Sequence, residues 1–243
     1  MASVVLYQKV HTLAGRVFYL EEHLKLLFNS YYEVFNSGVK LDAQDIEQRI
    51  LSLLKRERAS LDVSVIVRLD LHFGGEITLA IEEYSLYSGY ALRCLALRGA
   101  LVEFAIPFIE HSTFAREAMF ELSNLKAKLL GAQVALRSSD GMVDMACSAQ
   151  LFAVRGDEIF TFEKSFSVEH ALAKQCARSL TLKFSERSIL ESDISTLDEL
   201  FLVDCYGVTP ISKCGTRYYM SLVAEQVAEL MHEKMFEYIK SQY

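Results

Sequence analysis

Several common signatures are missing from this sequence, and each absence narrows what the chain can be. No apolar stretch approaches the roughly 18 uninterrupted residues of a membrane-spanning helix, and the opening MASVVLYQKV lacks the basic start and apolar run of a secretory signal. The expected location is therefore cytoplasmic. Basic residues number 25 against 32 acidic ones and form no run, so the net charge of -7 gives neither nucleic-acid phosphates nor anionic lipid a surface to bind. The five cysteines, Cys94, Cys147, Cys176, Cys205 and Cys214, are odd in number and never fall in a C-x-x-C pair, which argues against a disulfide framework and a zinc site. No H-x-x-x-H or clustered carboxylate spacing points to a metal, and no G-x-S-x-G turn supports the adjacent His111 and Ser112 as a hydrolase pair.

What is present reads as an α+β protein. SVVLYQKV and RVFYL are β-rich runs around HTLAG, as in a hairpin. In LEEHLKLLFNSYYEVF, residues Leu20, Leu24, Leu27, Tyr31 and Phe35 recur at helical spacing. Asp42 is placed to cap a second helix whose stripe is Ile46, Ile50, Leu53 and Leu54. The period then changes to two in LDVSVIVRLDLHF and EITLAIEEY, joined by Gly-Gly, and YALRCLALRGALVEFAI supplies further strands. One of the only two prolines, Pro107, follows. It divides the chain into an N-terminal lobe of residues 1–106, a linker of 107–112 and a C-terminal lobe of 113–243.

The C-terminal lobe should open with a helix over residues 113–131, capped by Ser112 or Thr113 and buried along Ala118, Leu122, Leu125 and Leu129. QVALRSSDGMVDMA and QLFAVRGDEIFTF each read as strand, turn, strand. Ser167 is expected to cap the next helix, TLDEL to form a brief one, FLVDCYGVTPISKC to be strand-like, and a long helix to run over residues 218–239. Strands and helices do not alternate regularly, which excludes a doubly wound parallel sheet.

RVFYLEEHLKLLFNS is similar to the class IV aminotransferase segment in which a strand enters a helix beginning Leu-x-x-His. SSDGMVDMACSAQLFAVRGDEIFTF resembles the strand, glycine turn and Asn-Leu-Phe stretch of the same family, with a flavour closest to the aminodeoxychorismate lyases. LDELFLVDCYGVTPI looks like the family's late Asp-Glu strand leading to a proline. The three patches keep the family's order, so the chain resembles the two-lobed, fold-type IV pyridoxal phosphate enzymes of the D-amino acid aminotransferase type.

The resemblance implies a lysine that forms a Schiff base with the cofactor and carries the substrate proton. That position falls on Ser112, with Arg116 at a nearby family arginine. The phosphate arginine falls on Leu26, the acid that pairs with the pyridine nitrogen on Met145, and the asparagine before Leu-Phe on Gln150. The Gly-Ile-x-Arg turn that cradles phosphate reads His170, Ala171, Leu172, Ala173, while Cys205 and Tyr206 fall where the late strand approaches the phosphate. Lys126 and Lys128 are the stand-in amines, but lie several turns along the helix from Ser112. Asp144 neighbours the lost acid and points the opposite way on a strand. His23 reads as a packed structural residue.

The expectation is thus a degenerate homologue, without the cofactor, that binds a small anionic ligand or a partner such as an active paralogue. The alternative is a working aminotransferase or aminodeoxychorismate lyase that uses pyridoxal phosphate on a relocated lysine. The resemblance also implies a homodimer, and a mean hydropathy of +0.18 agrees with surface to bury.

Overall fold

A computed structural model describes residues 5–59 and 63–240. The outer ends of two expected strands, residues 3–4 and 61–62, lie outside that range. The chain forms two compact units. One contains the residues up to Gly89, with Phe108–Ala115 and the end of the last helix; the other contains Tyr90–Pro107 and Arg116–Glu233.

The first unit holds β1 (Val5–Leu13), β2 (Arg16–Val17), α1 (Leu20–Phe35), α2 (Ala43–Arg56), β3 (Ser64–His72) and β4 (Ile77–Ser85). Its sheet runs β2-β1-β3-β4, antiparallel throughout. Leu6 and Val10 of β1 and Val65, Val67, Leu69 and Leu71 of β3 meet the α1 and α2 stripes in one core. Each such aliphatic side chain contributes about 1.5–3 kcal/mol on burial. The stripes are those expected, except that Phe35 is half-buried. Asp42 caps α2, its carboxylate accepting from the amides of Gln44 at 3.0 Å and Asp45 at 3.2 Å.

The second unit holds β5 (Ala91–Leu92), β6 (Leu97–Glu103), most of α3 (Phe114–Leu129), β7 (Val134–Ser139), β8 (Met142–Ala146), β9 (Ala149–Arg155) and β10 (Glu158–Thr161). It continues with α4 (Val168–Ser179), β11 (Lys183–Glu186), β12 (Ile189–Leu190), β13 (Glu199–Asp204), β14 (Gly207–Cys214), β15 (Arg217–Tyr218) and most of α5 (Leu222–Lys240). Its sheet follows the order β11-β10-β9-β13-β14-β6-β7-β8-β12, and the pairing of β8 with β9 closes part of it on itself. Leu136, Leu151, Phe160, Leu202 and Ile211 lie in its core. The architecture is α+β, as the irregular order of elements requires.

Three local expectations are corrected. The leucine stripe of α3 is the outward face: Leu122, Leu125 and Leu129 are 61%, 56% and 88% exposed, and Ala118 is exposed as well. The helix instead packs through Phe120, Ser123 and Ala127, because small residues let it lie close on Val102 and Ala135 while Phe120 meets Phe104 edge-on at 5.3 Å. TLDEL is not helical, since Asp198 accepts from the Gly156 amide at 2.7 Å and Glu199 starts β13. Residue 218 belongs to β15, paired with Lys213, and α5 begins at Leu222, where Glu199 accepts from the Val223 and Ala224 amides.

Gly207 illustrates how tightly the sheet is built. Its φ is +113° and a Cβ there would sit 2.3 Å from the Ala91 carbonyl oxygen, so only glycine lets β5 pair with β14.

Candidate functional site

In the first unit, Ser112 lies just before α3 and its carbonyl accepts from the Tyr7 amide at 2.9 Å, while Thr113 bridges Leu6. Residue 112 is thereby fixed to β1. His111 beside it is buried, its Nδ1 3.1 Å from the Ser30 hydroxyl and its Nε2 3.2 Å from Glu33 and 3.9 Å from Glu110. Leu26 is half-buried on α1 and offers a phosphate only hydrocarbon. His23, three residues earlier, is buried with Nδ1 3.0 Å from Gln8 Oε1, and burial pushes its pKa down to about 3. It is the packed, structural histidine expected from sequence.

The face of this sheet beyond the helices is polar, a feature not singled out from sequence. Arg68 lies between the rings of Tyr7 and Phe114, 4.2 and 4.1 Å from their centroids, and bonds Asp70 at 2.7 Å. Lys9 donates to Glu82 at 2.7 Å. Burial works to raise the Glu82 carboxyl, but the bond and charge of Lys9, with Arg68, outweigh it and hold the carboxyl below its usual range. Lys9 is thus engaged by Glu82, whereas Lys25, Lys40 and Lys55 are exposed.

In the second unit, Met145 is buried in β8 and registers with Gln150 of β9. A thioether there cannot pair with a pyridinium. Asp144 bonds Arg137 at 2.5 Å, and burial raises its carboxyl against the pull of that arginine. Gln150 is committed to structure: its amide donates to the Lys164 carbonyl at 2.7 Å and accepts from the Phe166 amide at 2.6 Å, clamping the turn before α4.

The start of α4 would be the phosphate cradle by resemblance, because helix N-termini favour anions. Ser167 caps it, accepting from the His170 amide at 3.1 Å, and the Ala171 amide donates to the Ser167 carbonyl at 3.3 Å. His170 is fully buried between the Thr161 and Ser165 hydroxyls, its pKa pushed to about 3 by burial and then by Lys174, whereas Ala171 is exposed. Glu169 is buried in the first turn, its carboxyl raised to about 7 by burial, with Asp204 adding to the rise. Asp204, at the end of β13, is thus close enough for its charge to act on the Glu169 carboxyl. Cys205 is buried, while Tyr206 is half-buried beneath Arg93, 5.1 Å from its ring centroid, with its amide on Asp204 at 2.8 Å. The Cys147 thiol nearby is pushed up to about 12 by burial, then by the charge of Asp204, and is not a nucleophile.

Lys126 and Lys128 are exposed in the last turn of α3, at the opposite end from Ser112. Lys174 is the one buried lysine among the described residues, and sequence gave no reason to single it out. Its ammonium donates to the Glu163 carbonyl and meets Glu186, each at 2.5 Å. By the resemblance, residue 112 carries a hydroxyl where the lysine would stand and Met145 an apolar side chain where the acid would stand, and the first turn of α4 holds the buried Glu169.

Residues 6–214 match the family described as amino-transferase class IV. Among solved structures, a branched-chain aminotransferase from Thermoproteus uzoniensis superposes with a TM-score of 0.79 at 16% identity, over 96% of this chain and 86% of that one. An aminotransferase from Brucella abortus bound to PLP gives 0.80 at 19%, over 96% and 89%. A putative 4-amino-4-deoxychorismate lyase from Legionella pneumophila gives 0.77 at 13%, over 94% and 90%. At these identities the likeness is one of fold. None of the curated proteins matches the chain.

Proposed function

Because the chain belongs to the class IV aminotransferase family, we propose that it keeps the family's scaffold without Schiff-base chemistry and acts by binding a small ligand or a partner. The observation that carries this reading is Ser112, fixed to β1 by the Tyr7 amide, where the family needs an amine. A hydroxyl cannot condense with an aldehyde to hold a cofactor or return its nitrogen-borne proton.

The relocated-lysine alternative needs an amine that can lose its proton. Lys126 and Lys128 are open to water, and Lys9 and Lys174 are engaged in contacts with Glu82 and Glu186. Met145 and the pair Glu169 and Asp204 weaken the case for bound pyridoxal phosphate further.

Homodimerisation is part of the proposal. Leu122, Leu125 and Leu129 leave one side of α3 apolar and exposed, with Leu130 just beyond its end, a surface that a second copy would cover. The cytoplasm suits a chain with five free cysteines.

Assays with pyridoxal phosphate, a branched-chain amino acid and a keto acid, and separately with aminodeoxychorismate, test the proposal. No turnover above free cofactor is expected. Saturable turnover that vanishes on substitution of a single lysine would overturn it.

A further inference from the structure

His111, Glu33 and Glu110 converge on one point, although Ser30 of the same cluster is 81 residues from His111 in sequence. Ser30 and Glu33 are one turn apart on α1 and share a face. His111 is held by its own turn: Phe108 takes a left-handed φ of 54°, the His111 amide donates to the Phe108 carbonyl at 3.0 Å, and the two rings stack at 6.3 Å. With Nδ1 on the Ser30 hydroxyl, the ring presents Nε2 to both carboxylates.

The Glu33 to His111 spacing is that of a coordination shell, and Glu110 needs to close by about half an ångström to join it. Ligands about 2.0–2.1 Å from a tetrahedral ion lie roughly 3.3–3.4 Å apart, and Nε2 is 3.2 Å from Glu33 Oε2 and 3.9 Å from Glu110 Oε1. All three ligand atoms fall within 4.8 Å of one another. An imidazolium ion pair needs one carboxylate; a second on the same nitrogen adds repulsion that a dication relieves. The histidine is buried while Glu33 and Glu110 keep 53% and 32% side-chain exposure, so water can reach a fourth position.

We propose that His111 Nε2, Glu33 and Glu110 bind a zinc-class divalent cation, with Ser30 orienting the imidazole and water completing the shell. The ion fastens the segment that carries Ser112 to α1. This site does not depend on the loss of cofactor chemistry, since its ligands take no part in it.

The test is calorimetric titration of chelator-treated full-length protein with Zn2+, in a Cys94→Ser background that removes the exposed thiol, with Mg2+ as the oxygen-preferring control. One Zn2+ per chain is expected, with no comparable Mg2+ uptake. Glu33→Gln and His111→Asn should each weaken binding at least about tenfold. Glu33 is surface-exposed, so its variant reports binding even if His111→Asn folds poorly. No saturable Zn2+ uptake, or unchanged affinity in Glu33→Gln, would reduce the cluster to a histidine–carboxylate ion pair and overturn the site.

Discussion

The amide of Tyr7 donates to the carbonyl of Ser112 at 2.9 Å, so the backbone at position 112 is fixed to β1 whatever side chain it carries. Ser112→Lys keeps that backbone bond at a half-buried position and should fold with stability within about 1 kcal/mol of the parent. It should still show no transamination, because Met145, Glu169 and Asp204 are unchanged. Thermal melts and the amino-acid assay check both halves; turnover restored by this one substitution would mean that the rest of the site is intact.

Gln150 spans the Lys164 carbonyl and the Phe166 amide, both near the start of α4. Truncation in Gln150→Ala leaves two backbone groups unpaired and should cost about 1–3 kcal/mol. Urea denaturation measures this, and an unchanged midpoint would show that the turn is held by other contacts.

At Gly207 an added Cβ meets the Ala91 backbone at a positive φ. Gly207→Ala should destabilise by about 2 kcal/mol or more through strain and the lost pairing of β5. Parental stability in the same denaturation experiment would count against the described β5 to β14 register.

Acid should weaken the fold. His23 and His170 have folded pKa values near 3 against 6.5, so below pH 6.5 the unfolded chain takes up two protons that the folded chain refuses. Glu169, raised to about 7 from 4.5, works the other way: its stabilising contribution is full below pH 4.5 and is lost as pH rises through 7. One net proton remains, and stability should fall by up to about 1.4 kcal/mol per pH unit from pH 6.5 to 4.5. His23→Gln should flatten that slope, and chemical denaturation across the range reads it directly.

Leu125→Glu and Leu129→Glu alter an exposed face of α3 and should leave monomer stability nearly unchanged while halving the mass in solution. Light scattering decides: a parental mass of two chains, halved in the variants, bears out the proposed homodimer through this face, a parental mass of one chain overturns the homodimer, and a two-chain mass unaltered in the variants overturns this face as its contact.

Much of the fold was legible because periodicity reports burial. The α1 and α2 stripes, the Asp42 and Ser167 caps and the glycine turns follow from local chemistry that tertiary contacts reinforce. The α3 stripe misled because leucines at helical spacing mark an apolar face without saying what covers it, and close packing on β6 and β7 selected the smaller residues. TLDEL misled because Asp198 and Glu199 serve distant backbone amides rather than a local helix. The resemblance singled out Leu26, Ser112, Met145 and Gln150 from aligned positions alone. The acidic pair Glu169 and Asp204, the Lys174 to Glu186 ion pair and the convergence of Glu33 with His111 required residues far apart in sequence to meet.

The central claim is that no lysine of this chain condenses with pyridoxal phosphate, and the most direct measurement is peptide mass mapping after incubation with stoichiometric cofactor and borohydride reduction. The account predicts at most scattered, substoichiometric labelling of exposed lysines such as Lys126 and Lys128. A single lysine carrying close to one adduct per chain would contradict it.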